Sequence, residues 1–472
     1  MSRFKPTPGR SAIRPPFVSG TAVSSPFAKT EVLASAPPHT ISGTTPERTI
    51  GVQDAQFQSA LANGTRRLSL AITLAFIYFR FSFLHEYIAA RYWVDTHIML
   101  VLGALATISC LASGLFFAGF AFKSIRIWLL FFLCMCMATI FSTWRGGSMN
   151  VLMPYVRTTL PLLFLIPGVA YTIEDIEKVL KTIGLAGATV ILLGVVSDDF
   201  RTGRLELQSA GGTIQNANDF ATHLMLVLPA IAFLTMRKGC NMFLKGVGIG
   251  IMAAGAYELL ATGSRGALVS ILVTSFFIFF KGSSRVKLAF MLGVPLISAA
   301  VLPVAPSSAV QRMLSIFSSS DESDEAAESR AARTELLKAS LKITFMHPIL
   351  GIGPGEFEDY QGGLASSEGQ RGMWHETHNA YTQISSECGI PAFAFYITGM
   401  FLTYRSLRRA AVANVPRVSA IASTVTIMFI GYGVCLFFLS QGYSPVLVVL
   451  CALSVVIERL LQQEQPSAAA PA

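Results

Sequence analysis

The sequence predicts an all-α integral membrane protein of about twelve transmembrane helices, with one large extracytoplasmic loop that carries an amphipathic helix. Three observations predict it. First, 52% of the 472 residues are hydrophobic and 13% charged, with mean hydropathy +0.56, against about 25% charge in a soluble domain. Second, apolar runs recur at approximately 68–87, 97–119, 125–142, 151–171, 179–197, 219–236, 244–262, 266–280, 287–305, 378–404, 418–439 and 444–461. Each is near the length that crosses a bilayer, some a little short. Third, the basic residues alternate between intervals. With the amino terminus inside, inner intervals hold Lys123, Arg126, Lys178, Arg237, Lys238, Lys245, Lys281, Arg285, Lys287, Arg405, Arg408, Arg409 and Arg417. The short outer ones hold far fewer: Arg91, Arg145, Arg201, Arg204 and Arg265. This asymmetry sets orientation and puts the stretch 333–391 outside the cytoplasm. It also explains the net charge of +9 without nucleic acid, because the basic residues lie in short connections between helices.

In chain order, residues 1–65 are rich in Pro, Ser, Thr and Ala and predict a disordered cytoplasmic tail. Arg66-Arg67 precede the first span, and spans one to nine fill 66–305. The loop 306–377 opens with a Ser-rich acidic segment, Ser318–Ser329, read as mobile surface. Leu336, Leu337, Leu341 and Phe345 then recur at helical spacing over about 328–346, an amphipathic helix on the membrane surface or the bundle top. His347-Pro348 ends it. Spans ten to twelve occupy 378–461, and 462–472 form a second cytoplasmic tail.

The chemistry-bearing residues concentrate between Arg333 and Pro391. On a helix starting near Thr377, His378, Asn379, Thr382, Gln383, Ser385, Ser386 and Glu387 share one arc. Such an arc at membrane depth is either an interhelical hydrogen-bond network or the wall of a substrate cavity, and seven polar residues favour the cavity. His378 is the candidate base, since an unperturbed imidazole accepts a proton near neutral pH; His375 is its rival. Arg265 sits in Thr262-Gly-Ser-Arg-Gly-Ala267, a break too short for a free loop. Its guanidinium either snorkels to headgroups or grips a phosphate bidentately. Arg204 and Arg333 are available to the same anion.

Asn218 or Asp219 is placed to cap a helix, and Asn216 precedes them. Arg157 lies inside an apolar run among Pro154, Pro161 and Pro167, as part of a polar path or a structural pair. Gly351-Ile-Gly-Pro-Gly-Glu-Phe357 lacks the Lys-Ser/Thr of a nucleotide loop and reads as a turn-rich elbow. The seven cysteines are scattered with no CxxC pair, and Asp198-Asp199 stands alone. We therefore expect no metal, no cofactor and no nucleotide-sugar donor.

The order of these elements resembles the O-antigen ligase/polymerase superfamily: NxN before a helix, TxSRGA between helices, an outer arginine followed by HPxLGxGPGxF, then HNxxxxxxxExGxP. The resemblance spans roughly 200–400, and Ala217 departs from the proline the family often has. It implies a GT-C-like, inverting, metal-independent glycosyltransferase of the bacterial inner membrane, active on its outer face in surface polysaccharide assembly such as lipopolysaccharide. The donor would be a glycan on polyprenyl (undecaprenyl) diphosphate, and the acceptor a hydroxyl of a lipid or glycan. By position, His378 would activate that hydroxyl, Arg265 and Arg333 would hold the diphosphate, and Asn216 and Asn218 would be the motif asparagines. With Arg204, Asn379 and Glu387 they form the expected substrate-binding set. A polymerase, a protein O-oligosaccharyltransferase and a non-enzymatic lipid-glycan transporter are the alternatives. A transporter would need charges through the membrane depth or an internal repeat.

Overall fold

The computed structural model describes residues 47–94, 97–197, 200–201, 203–207, 213–237, 239–282, 284–314, 324–367 and 374–464. The first half of the acidic segment Ser318–Ser329, Asp198-Asp199, Lys238 and both chain ends lie outside them. The chain divides into Met1–Ala55 and Gln56–Ala472. Of the first unit only helical residues 47–55 are described, and the second is the subject below.

Among the described residues the structure is helical apart from one two-stranded hairpin. Helix α1 (Glu47–Ser82) already begins where composition alone predicts no order. It meets α2 (Leu84–Tyr92) at a 60° bend through Phe83, a non-glycine residue at φ 49°. Next come α3 (Ile98–Ala112), α4 (Lys123–Ile140), α5 (Arg145–Pro154), α6 (Leu160–Val169) and α7 (Ile173–Ser197). The hairpin β1 (Phe200–Arg201) and β2 (Arg204–Leu205) leads to α8 (Ala217–Thr235), α9 (Met242–Ala261), α10 (Arg265–Lys281) and α11 (Ser284–Val301). Helices α12 (Ser307–Leu314), α13 (Asp324–Met346) and α14 (Phe357–Ser367) form the large connection, and α15 (Ala380–Ala411), α16 (Pro416–Cys435) and α17 (Pro445–Glu464) complete the bundle.

Seven of these segments are long and apolar enough to cross a membrane, and eight if the bent pair counts as one span. The count of twelve drawn from hydropathy is larger. The difference lies in pieces such as α3 and α10, which are helical but short, at 15 and 17 residues.

Helix α17 is apolar all round, and its face-independent burial identifies the middle of the bundle, where it packs on α6, α15 and α16. Between α5 and α6, Tyr155–Thr159 form a π turn. Pro161 has no N–H to give the Arg157 carbonyl, and Gly103 of α3 packs against that carbonyl instead. Arg157 itself is exposed on this turn, not buried in a pair or an interior path. All seven cysteines are free.

Charge pairs gather at one end. Arg66 bonds Asp175 at 2.8 Å, Arg237 meets Glu177 at 2.8 Å, and Arg417 bridges Glu174 and Glu177 at 3.0 Å each. Arg459 bonds the Ala170 carbonyl and lies over the Tyr171 ring. Five segments distant in sequence are tied together there. The connection formed by α12, α13 and α14 belongs with a different set of residues, described next.

Candidate active site

The centre of this set is a break in a helix. Helix α15 loses helical geometry at Gly389 (φ 85°, ψ 171°), just before Pro391, which has no N–H. The break frees backbone carbonyls, and the 347–356 elbow docks on them: Ile352 donates to the Ser386 carbonyl at 3.1 Å and Gly353 to that of Glu387 at 2.9 Å. In return, Ile390 donates to the Pro348 carbonyl at 2.8 Å. Gly351, Gly353 and Gly355 all have positive φ, and a Cβ on Gly351 would collide with the Glu387 carbonyl. From the far side, Thr143 donates its N–H to the Ile352 carbonyl, and Ser148 bonds the Glu356 carboxylate. Burial raises the Glu356 carboxyl above its ordinary range. The reading of this motif as an elbow matches its geometry.

Four arginines converge beside this frame. Arg204 donates to the Thr262 carbonyl at 2.7 Å and to the Asn218 amide oxygen at 2.9 Å. Burial, then Arg312, Arg333 and Arg265, push its guanidinium down to about 10, with Glu206 opposing. Arg333 is lowered by burial and by Arg265 and Arg312. Arg312 runs beside Gly263, in the break that also carries Arg265. The short break, the hairpin and α12 thus each supply one guanidinium, and α13 supplies Arg333 together with Arg330, which acts on Arg265.

His378 faces Arg333. Burial, then Arg333 and His375, lower its imidazole to about 4, so the ring is unprotonated at neutral pH. It does not lie on the helix arc expected for it. Helix α15 starts two residues later, because Asn379 caps it through bonds from the Tyr381 and Thr382 N–H groups. His378 is held at φ 50° ahead of the cap, with its N–H donated to the Ser440 hydroxyl at 2.8 Å.

Several residues expected to touch substrate stand one layer behind. Asn216 caps α8 and also bonds Asp219; Asn218 orients Arg204. Glu387 is 2% exposed and accepts from the Gly355 N–H and the Tyr443 hydroxyl. Gln383 accepts from the Gly442 N–H, and Ser385 bonds Thr344 of α13. The inner part of the polar arc, Gln383, Ser385, Ser386 and Glu387, is therefore an interhelical network rather than a cavity wall, since these residues are buried and hydrogen-bonded.

Two features escaped sequence reasoning. Ser440–Ser444, between α16 and α17, is a latch: Ser440 holds His378, Gln441 donates to Asp219, Gly442 holds Gln383 and Tyr443 holds Glu387. Its signal was present, as four polar side chains in an interruption too short to be a free loop. Arg312 had no comparable signal beside a Ser-rich acidic segment. Helix α13 also differs in its facing. Leu336, Ser340, Ile343 and Thr344 are buried, while Leu337, Leu341 and Phe345 are exposed.

Seven or eight segments able to cross a membrane define a multi-pass membrane protein, and an arginine cluster stands beside the unprotonated His378 ring. Residues 225–397 match the Wzy_C family, O-antigen ligase, and this match supports a likeness of that stretch to the O-antigen ligase superfamily. The matched family is one of membrane enzymes that transfer glycosyl groups in polysaccharide assembly, which suggests the same general class here. No curated protein matches the chain. The matched stretch includes Arg265, Arg312, Arg333, the elbow and His378, and ends before the latch.

Proposed function

We propose that the protein is a membrane glycosyltransferase that moves a glycan from polyprenyl diphosphate to an acceptor hydroxyl, with inversion, in the manner of an O-antigen ligase. The observation that carries this reading is the convergence of Arg204, Arg265, Arg312 and Arg333 beside His378. In a single displacement the acceptor oxygen bonds the anomeric carbon as the bond to the diphosphate oxygen breaks. Negative charge grows on the leaving diphosphate, and fixed guanidiniums in a half-buried site stabilise it without reorganising. The unprotonated His378 ring accepts the hydrogen bond of the incoming hydroxyl. Arg204 is kept in place by Asn218 and Thr262, and His378 by Ser440. A diphosphate is already an activated leaving group, so the step has no need of a metal, and Arg265 and Arg333 take the role of charge carrier.

The test is glycan transfer by purified protein in detergent from a polyprenyl-diphosphate oligosaccharide, with EDTA present, comparing wild type with His378→Ala. Transfer by wild type and its loss in the variant support the assignment, and the product identifies the acceptor. No transfer by intact wild type with lipid, glycan and peptide acceptors offered would overturn it.

A further inference from the structure

A polar cavity lies behind the latch, walled by the α1–α2 bend, the start of α8, the end of α16 and the first residues of α17. It encloses about 30 Å³, room for about two water-sized groups. Half-buried Thr213, Gln441 and Ser444 stand at its rim. Three polar atoms on its wall are buried and have no protein partner among the described residues: Arg80 Nε, His223 Nε2 and the Tyr432 hydroxyl. Tyr432 is 2% exposed and His223 5%. Arg80 uses a terminal nitrogen on Thr213 at 3.4 Å and lies 3.8 Å from Glu86, which accepts two bonds of 2.7 Å from Thr213. Arg80 is close enough to His223 and Tyr432 for its charge to act on both. The Ser444 hydroxyl stands near Tyr432 but outside hydrogen-bond geometry. Buried polar atoms left unpaired are costly, so three around one space mark a place for something else to bond.

The wall selects among small groups. An anion would meet Arg80 but also Asp219, and Glu86 behind Thr213; a cation would meet Arg80. A neutral hydroxyl suits all three atoms, since it can accept from the Arg80 N–H and can donate or accept at the other two. Phe83 meets the His223 ring edge-on at 4.7 Å and adds an aromatic wall. Its negative face suits the C–H groups of a sugar ring. The position fits as well. Gln441 and Asp219 line the cavity and bond each other at 2.9 Å. Next to Gln441, Ser440 accepts from the His378 N–H, and next to Asp219, Asn218 orients Arg204.

Resting on the glycosyltransferase reading, we propose that this cavity is a sugar subsite of the transfer reaction. Two neighbouring hydroxyls of one pyranose ring enter it, accept from Arg80 Nε and bond His223 Nε2 and the Tyr432 hydroxyl, while the ring rests against Phe83 at the rim. The same chemistry serves a sugar of the acceptor or a sugar of the transferred glycan. Binding here leaves the arginine cluster to the diphosphate.

Tyr432→Phe isolates the claim, because the hydroxyl it removes bonds nothing in the protein among the described residues. Transfer by full-length protein in detergent is measured twice, with the lipid-linked donor varied at saturating acceptor and then the acceptor varied at saturating donor. Tyr432→Phe should raise one KM by about 3- to 10-fold, the loss of one neutral hydrogen bond. Its kcat should stay at the wild-type value, as for an interaction equal in ground and transition states. Its thermal midpoint should be unchanged or higher. The substrate whose KM rises carries the sugar. His223→Phe keeps a ring against Phe83 and should raise the same KM. Wild-type KM for both substrates in both variants would overturn the proposal, leaving water as the occupant and the transferase reading intact. A lowered midpoint in Tyr432→Phe with both KM values unchanged would overturn it too, by giving that hydroxyl a structural role. No transfer by wild type would overturn both readings.

Discussion

Guanidiniums crowded into one half-buried space repel one another, and Arg204 has its proton affinity lowered first by burial and then by Arg312, Arg333 and Arg265. On the proposed reading a bound diphosphate would relieve that repulsion, and its two-oxygen geometry would make residue identity matter as well as charge. Arg265→Lys keeps the charge but replaces a planar fork with a point donor. Losing one charged hydrogen bond of about 1.5–3 kcal/mol predicts a fall of roughly 10- to 100-fold in kcat/KM for the lipid-linked donor, measured by steady-state transfer. The same field acts on His378. Its ring is depressed first by burial and then by Arg333. An anion beside Arg333 cancels part of the second cause only, so saturating inorganic pyrophosphate should raise the His378 pKa from about 4 toward, but not to, its ordinary value. Histidine NMR on labelled protein reads this directly, and an unchanged or lowered value would remove pyrophosphate from the Arg333 neighbourhood.

At the scale of elements, the broken helix α15 and the elbow are one unit, each supplying what the other lacks. Glu387 joins them from beneath, accepting from Gly355 and Tyr443 in a nearly fully buried position. Glu387→Gln leaves the shape and weakens both bonds, and should cost about 1–3 kcal/mol. The thermal midpoint in detergent should drop, while donor KM of the folded fraction stays near wild type. A large KM change with unaltered stability would instead make Glu387 a substrate ligand. Much of this unit was legible in the sequence: the glycines of the elbow, the Pro348 stop and the Gly389–Pro391 interruption are local signals with local causes. The starting point of α15 was not, because a cap at Asn379 and a helix begun at Thr377 differ by a single backbone conformation at His378. The latch was missed for a related reason. Ser440, Gln441 and Tyr443 find partners on α15 and α8, and periodicity along a chain carries no information about partners so far away in it. The facing of α13 shows the same limit, since Leu336 and Leu337 are equally apolar and only docking against α15 decides which is buried.

Among the described residues, two sets of ionic groups stand out at the scale of the whole molecule. Arg66, Arg237 and Arg417 are paired with Asp175, Glu174 and Glu177, so that set is neutralised and suited to hold helices together. Arg204 and Arg333 have their proton affinity lowered first by burial and then by neighbouring guanidiniums, among them Arg265 and Arg312, and on the proposed reading this set receives the diphosphate. The basic residues of the first set belong to the intervals that charge asymmetry assigns to the cytoplasm, and those of the second to the intervals it assigns outside. A polyprenyl-diphosphate transferase that acts on the outer face requires this sidedness. Substitutions at exposed positions test it: Ser367→Cys at the end of α14, and Asn414→Cys in the turn between α15 and α16. In a background with the seven native cysteines replaced, a membrane-impermeant maleimide applied to intact cells should label Ser367→Cys. Asn414→Cys should stay unlabelled until the membrane is permeabilised. The reverse pattern would put the arginine cluster in the cytoplasm, where the donor would have to be used before it crosses the membrane, and would remove the outer-face step from the mechanism.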